Sequence, residues 1–391
     1  MHIELSQAHL EFRQRLRAHI AANRPDMPRP PGTRSPRARD MPAYRAWCAS
    51  LFSENFIGLD WPREWGGQDD RDPIRDYVLD QELAAAAVPR PIGAYNLVAT
   101  PLMRYGSSGQ QESLLPRIRS FADLWCQLFS EPDAGSDLAA LRTRAVRDGD
   151  DWIVDGQKVW TTHAHIADVG FLLARTDPDA SKHAGISAFV LDMSTPGVEV
   201  RPLRELTGSS DFNEVFLEGV RIPYTQMLGA PGRGWQIARE ALAHERGQSL
   251  REDSVAAAVQ RLVALAHQHD RFFDPGVRRM IGQLAARAQV SDLLGFQGVL
   301  REAAGQSGVA DAAVTKVVFT EANLATATFG VELQGADGIL DGRDPGVAHD
   351  GRWQEAFLWA RGFTISAGSN EVMRNLIAER GLGLPKEPST R

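Results

Sequence analysis

The sequence predicts a multidomain α+β fold in which a helical region, a β region and a second helical region follow one another. Apolar residues recur at helical spacing over about the first 120 residues, for instance across 5–21, and 76–88 is rich in Ala and Leu with Glu82 interleaved. From about Ala122 short β-branched or aromatic runs alternate with turn residues, and after Gly234 helical periodicity returns and dominates to about Arg380.

Taken in order, 24–40 separates the first helices and holds five prolines and five arginines, which reads as a solvated connector. Strands are expected at 125–129, 152–159, 169–174, 186–191, 198–202 and 212–220. The turns between them include Asp148-Gly149-Asp150, Asp155-Gly156 and Thr195-Pro196-Gly197. With no long helical pattern between them, these strands suggest an antiparallel barrel or sandwich. Helices are expected at 235–268, 277–304 and 311–333. An irregular Gly/Asp stretch follows, then a last helix at 370–380 closed by Gly381, Gly383 and Pro385.

Composition bounds the function. At 391 residues the chain is long enough for two or three domains, and 43% hydrophobic residues supply their cores. A net charge of −7, from 43 basic against 50 acidic residues, argues against binding nucleic acid or an anionic membrane. Cys48 and Cys126 are the only cysteines, so neither a disulfide framework nor a cysteine zinc site is expected. The N-terminus lacks a basic-then-apolar signal pattern, and no apolar run approaches the ~18 residues of a membrane span. A cytoplasmic location is expected.

Generic motifs are absent: no dinucleotide glycine fingerprint, P-loop, nucleophile elbow or zincin pair occurs. The stretch 229–234 is glycine-rich but reads as a strand-to-helix turn. His163/His165 and His267/His269 lack carboxylate or thiolate support, so no metal site is expected. On the helix after Gly234, Ile237, Ala238, Ala241 and Leu242 mark an apolar stripe that Glu245 continues. A carboxylate on a buried face must be paired, protonated or used. Glu245 is therefore either a salt-bridge partner of a neighbour such as Arg246 or Arg251, or a general base.

Three further stretches offer binding groups. Around 130–137 a strand end meets a small-residue turn whose N–H groups and hydroxyls suit a polar ligand or its phosphates. Trp160-Thr161-Thr162 sets an aromatic plane beside two hydroxyls, suited to stacking on a flat cofactor or to plain strand packing. Ser366-Ala367-Gly368-Ser369-Asn370-Glu371 is a turn opening a helix, a place for an anion or pyrophosphate.

Together these segments resemble the acyl-CoA dehydrogenase family over nearly the whole chain. The stretches that carry the likeness are Gly58-Leu59-Asp60-Trp61-Pro62 with Gly66-Gly67, the run Ser130 to Asp137, the run Asp155 to Thr162, and Phe212-Asn213-Glu214-Val215-Phe216. Gly234-Trp235, Glu245-Arg246, and Gly368 to Asn375 running into Leu382-Gly383-Leu384-Pro385 complete it. The resemblance implies an N-terminal helical domain (1–121), a middle antiparallel β-barrel (122–232) and a C-terminal four-helix bundle (233–391). It implies FAD between barrel and bundle, an acyl-CoA substrate and electron-transferring flavoprotein as acceptor. A homo-oligomer (dimer or tetramer, with a homotetramer expected) or a heteromer with a related subunit is implied too.

Residue by residue, Gln127, Phe129 and Ser130 match a segment contacting the isoalloxazine, and Ser136 a serine beside flavin and pantetheine. Trp160 and Thr162 match residues at the flavin face and N5 edge. Ser369 and Glu371 match contacts to the FAD pyrophosphate and adenosine side, and Arg246 an arginine near substrate. In many members the catalytic glutamate occupies the position of Ala367, just before Gly368. In a subset it precedes the helix arginine, which is Glu245 here, so the resemblance makes Glu245 the base. It would take the α-proton while the β-hydrogen leaves as hydride to flavin N5, with the Ala367 N–H and a ribityl hydroxyl holding the thioester oxygen. Two further departures concern FAD contacts across subunits: no Arg-x-x-Phe-Gly stretch is clear near Arg271-Phe272-Phe273, and Glu332 replaces a pyrophosphate-binding glutamine. A branched or bulky acyl group, such as a sterol side chain, is compatible with the relocated base. The rival expectations are a flavin monooxygenase or oxidase on the same scaffold, and a non-catalytic partner subunit of a heteromeric dehydrogenase.

Overall fold

The structure is a computed structural model that describes residues 5–27, 36–91, 95–248, 255–340, 344 and 346–386, with the backbone alone at 95–96, 243–248 and 309. Much of the 24–40 connector (28–35) and Arg251 lie outside the described residues. The chain divides into two compact units, Met1–Glu245 and Arg246–Arg391.

The first unit opens with helices α1 (Gln7–Asn23), α2 (Met41–Ser53), α3 (Pro73–Ala85), α4 (Tyr95–Tyr105) and α5 (Ser108–Arg119). Local chemistry sets their starts. The Ser6 hydroxyl accepts the His9 N–H, and Asp72 accepts the N–H groups of Ile74 and Arg75 with Pro73 in the first turn. Ser107 and Gln110 close a capping box at α5. Phe12, Leu16 and Ile20 form the buried stripe of α1, and α2 buries Tyr44, Trp47, Cys48, Leu51 and Phe52.

Eight strands follow: β1 (Trp125–Leu128), β2 (Arg144–Asp148), β3 (Asp151–Thr162), β4 (Val169–Arg175), β5 (Ile186–Asp192), β6 (Val198–Pro202), β7 (Phe212–Pro223) and β8 (Met227–Leu228). They form one sheet in the order β6-β7-β3-β2-β4-β5-β8, with β1 added on β4. This corrects the expected antiparallel β-barrel in two respects. The sheet is mixed, because β1 runs parallel to β4 (Trp125↔Val169 to Leu128↔Leu172) and β2 meets β4 in parallel at Arg144↔Arg175. It is also open, ending at β6 and β8 without closure. The β2–β3 hairpin lies between β1 and β4 in the chain and returns it to β4 in the direction of β1. The charged strand β2, exposed but for Ala145, carries no apolar alternation and was not expected.

β4 is buried on both faces. Phe171 and Leu173 enter a core shared with the helices, reaching from Phe12 and Leu16 through Trp61 and Phe121 to Ile186 and Leu228. Leu172 and Ala174 enter a second core with Trp152, Phe189, Val215 and Ile222. Ile237, Ala238 and Ala241, the first apolar turns of α6 (Gly234–Gln248), belong to the core shared with the helices.

The second unit holds α7 (Val255–Gln268), α8 (Pro275–Ala303), α9 (Val309–Leu333), α10 (Arg352–Ile365) and α11 (Asn370–Leu376). Its core gathers Val259, Leu262, Leu284, Phe319, Leu333 and Trp353. Within the expected helix 235–268 the described residues form α6 and α7, and 249–254 lie outside the described residues. α10 was not expected. Of its residues only Trp353 and Ala360 are fully buried, so its apolar side chains do not resolve into one stripe. The last α-helix stops at Leu376 and continues as a π turn, Ile377–Gly381.

Candidate active site

The first unit brings together the segments 127–131 and 158–162. Gln127 lies on β1 opposite Phe171, and Phe129, buried, sets its ring edge-on to Phe171 at 5.1 Å. The Ser130 carbonyl accepts the Val159 N–H at 2.9 Å. Two charges, both inside the protein, fix this join. Lys158, wholly buried, donates to the Phe129 carbonyl at 3.1 Å and to the Glu131 carboxylate at 2.7 Å. Glu131 also accepts the N–H groups of Arg142 (2.6 Å) and Thr143 (2.9 Å). Burial pushes the Glu131 carboxyl up, but Lys158 and these donors outweigh it, and the group sits below its ordinary range. Burial pulls the Lys158 ammonium down while Glu131 opposes.

The β3–β7 register shifts between Lys158 and Thr161. In that bulge Trp160 adopts φ 59° and stands 62% exposed, its ring edge-on to Phe212. On the β7 side, Asn213 donates to the Thr161 carbonyl at 3.0 Å. The bulge is thus pinned from both flanks, and the indole is turned outward beside half-buried Thr162. Ser136 is exposed in the turn that follows the Glu131–Ala134 bridge.

The second unit assembles the other group. Ala367 and Gly368 follow α10 with φ 51° and 91°, and among the described residues the Ala367 N–H has no acceptor. A φ of 91° is a backbone conformation that side chains with a Cβ rarely adopt, so position 368 favours glycine. The Ser369 hydroxyl caps α11 by accepting the Val372 N–H at 3.3 Å. Glu371 is exposed; its own N–H and the Ser369 hydroxyl hold its carboxyl below the usual range. Sequence reasoning missed Lys316 of α9, which is buried and donates to the carbonyls of Gly368 (2.8 Å) and Thr364 (3.4 Å) and to Asn370 Oδ1 (2.9 Å). Glu131 and Lys158 were quoted there only as parts of motifs. A signal was present: the chain has four lysines against 39 arginines, and two of the four are buried.

Glu245 and Arg246 lie on the α6 backbone, but their side chains fall outside the described residues. Among the departures, Glu332 is exposed on α9. Arg271 donates to the Leu333 carbonyl, Phe272 stacks on His267 at 4.0 Å, and Phe273 is 78% exposed. Among the described residues no group of three His, Cys, Asp or Glu is placed to hold a metal, and no helix is long and apolar enough to cross a membrane.

Three sequence profiles cover this architecture in order: the acyl-CoA dehydrogenase N-terminal domain over residues 6–121, the middle domain over 126–220 and the C-terminal domain over 232–382. The chain belongs to the acyl-CoA dehydrogenase family. The acyl-CoA dehydrogenase FadE34 of Mycobacterium tuberculosis is 40% identical over 338 residues, 86% of this chain and 46% of that one. This chain therefore spans about half the length of that relative. The acyl-CoA dehydrogenase IpdE1 of the same organism is 37% identical over 350 residues, 88% of each chain. Among solved structures, the Tcur3481-Tcur3483 steroid ACAD superposes with a TM-score of 0.85 at 30% identity, covering 99% of this chain and 100% of that one. The ChsE4-ChsE5 complex from Mycobacterium tuberculosis gives 0.83 at 30% identity, with the same coverage.

Acyl-CoA dehydrogenases are FAD-dependent oxidoreductases, and the residues present fit that cofactor. An indole held outward by a left-handed bulge offers a stacking face, and the left-handed turn at Ala367 and Gly368 presents a backbone N–H that has no acceptor among the described residues.

Proposed function

We propose that this chain carries out FAD-dependent α,β-dehydrogenation of an acyl-CoA thioester to the trans-2-enoyl-CoA, with Glu245 as the base. The observation that carries the reading is the outward indole of Trp160, pinned beside Ser130 and Thr162 in a chain that matches all three family domains. When bound, FAD supplies the hydride acceptor. The chain's own residues bind, orient and move the proton. Gln127, Phe129, Ser130, Trp160 and Thr162 hold the flavin ring, Ser369 and Glu371 its pyrophosphate and adenosine side. Ser136, Arg246, Ala367 and Gly368 line the thioester. A thioester α-proton is too weakly acidic for a carboxylate alone, so the developing enolate oxygen needs preorganised donors, a contribution of several kcal/mol. The Ala367 N–H, which has no acceptor among the described residues, is such a donor, and it remains although the family's alternative glutamate is absent from that position.

The steroid ACAD named above and the small side chain of Ala367 support a bulky, polycyclic acyl group. The ChsE4-ChsE5 complex and the carboxylate of Glu332, where a phosphate-binding glutamine is expected, support assembly with a related subunit rather than a homotetramer. Electron-transferring flavoprotein is the proposed acceptor. Two buried thiols, Cys48 and Cys126, both pushed up by burial, suit a reducing cytoplasm.

Anaerobic titration of the flavin-loaded protein with straight, branched and steroid acyl-CoAs tests the reading. Bleaching by one class, abolished in Glu245→Gln with FAD retained, is expected. Undiminished bleaching in Glu245→Gln refutes the base. Rapid reaction of the reduced protein with oxygen refutes the dehydrogenase reading in favour of an oxidase or monooxygenase. Flavin binding only on co-expression with a related subunit supports the heteromer.

A further inference from the structure

We propose that Lys316 is a positioning residue: its ammonium sets the backbone of the turn between α10 and α11, and so aims the Ala367 N–H at the thioester oxygen. This rests on the reading above that the Ala367 N–H stabilises the enolate.

The geometry is specific. The three protons of one ammonium meet three acceptors, the carbonyls of Thr364 and Gly368 and the Asn370 side chain, which straddle Ala367. Thr320 Oγ1, one turn along α9, donates to the same Asn370 Oδ1 at 3.0 Å, and Asn370 is itself buried. Ala367 carries a Cβ yet lies in the left-handed region, which costs about 1–2 kcal/mol and persists only where the surroundings enforce it. The Lys316–Asn370–Thr320 clasp supplies that enforcement.

The clasp is also costly in itself. Lys316 is 6% exposed and among the described residues no carboxylate pairs with it; Glu371 acts on it only from a distance. Burial pulls its proton affinity down to about 8. An apolar residue would cover α9 at lower cost, so what Lys316 uniquely adds is a fixed cation behind the turn. In a dry site that charge favours an anion forming at the turn's N–H. Arginine is not an equivalent, since its planar fork cannot converge on three acceptors arranged around a point.

The test uses the full-length, FAD-loaded protein and a thia-substituted analogue of whichever acyl-CoA bleaches it. Such an analogue loses its α-proton without being oxidised, and its enolate against oxidised flavin absorbs at long wavelength. The apparent pKa of that band reads enolate stabilisation directly. Lys316→Met is expected to raise it by about one unit or more, a tenfold loss of enolate. FAD content and binding of the neutral analogue should stay at wild-type levels. Thr320→Val should shift it the same way by less, and Thr320→Ser should restore it. An unshifted band in Lys316→Met overturns the proposal; where that variant fails to fold or load, an unshifted band in Thr320→Val does so. If the wild type bleaches with no acyl-CoA and forms no band, the underlying reading fails and takes the inference with it. A normal wild-type band with unmoved variants overturns the inference alone.

Discussion

Replacing Lys158 with Met removes the cation from a pair in which Lys158 is 0% and Glu131 7% exposed. Breaking a buried pair from one side costs about 3–5 kcal/mol, because the partner charge stays buried without compensation. The Arg142 and Thr143 N–H groups still solvate Glu131, which places Lys158→Met toward the lower end, at about 3 kcal/mol. The double variant Lys158→Met/Glu131→Gln should recover at least about 1 kcal/mol of that, the coupling expected of residues in one network. Urea unfolding followed by tryptophan fluorescence reads all three proteins. The pH dependence gives an internal check. The folded Glu131 carboxyl sits below the ordinary glutamate value of 4.5, so its contribution is fully present above that pH and is lost as pH falls through the folded pKa. In Lys158→Met only the Arg142 and Thr143 donors still oppose burial, so the carboxyl rises from its wild-type position and protonation relieves the penalty as pH falls. The gap between wild type and variant should therefore close on acidification. A loss under about 1 kcal/mol, the value of an exposed pair, or a gap that widens in acid, would refute the reasoning.

Trp160→Ala should cost about 0.5 kcal/mol or less in stability, since the side chain stands mostly in solvent, while FAD binding weakens up to about tenfold through lost stacking. Unchanged FAD affinity by equilibrium titration would remove Trp160 from the site. Gly330→Ala should destabilise the second unit by about 1–3 kcal/mol, because its Cβ would stand 2.1 Å from Trp353 Cε3 in a packed core; an unshifted thermal midpoint contradicts this. Burial pulls the folded Lys316 ammonium down to about 8 from the ordinary lysine value of 10.5, so between those values the unfolded chain holds more protons and the Lys316 contribution to stability rises with pH. Wild type should therefore gain on Lys316→Met across that range in thermal melts, and a constant difference counts against it.

The order of helical, β and helical regions was legible because it rests on periodicity. Phe12, Leu16 and Ile20 recur every four residues, and Phe171 to Ala174 form a continuous apolar run. Closure of the sheet was not legible, since strand direction and pairing depend on long-range contacts such as Trp125↔Val169 that leave no local trace. α10 escaped because its apolar residues are spread around the helix rather than gathered on one side. At the site, the aromatic and hydroxyl residues were readable as motifs. Their relative placement was not, because it is made by the Val159–Ser130 backbone bond and the Lys158 ammonium.

One physical test, a charge continuing an apolar stripe, singled out Glu245 in the sequence. Applied to α9 it singles out Lys316, which lies between buried Ala313 and Thr320 at helical spacing. Lys158 follows buried Trp152 and Val154 at strand spacing in β3 and meets the same criterion. Both lysines serve main chain rather than surface: one donates to the Phe129 carbonyl and the other to that of Gly368. A left-handed residue lies close to each contact in the chain, Trp160 two positions after Lys158 and Ala367 next to the acceptor Gly368. In a chain that meets most of its need for cations with arginine, both buried lysines thus set a compact, three-donor ammonium group against main chain near a left-handed residue. That pattern is tested separately in each unit by Lys158→Met and Lys316→Met.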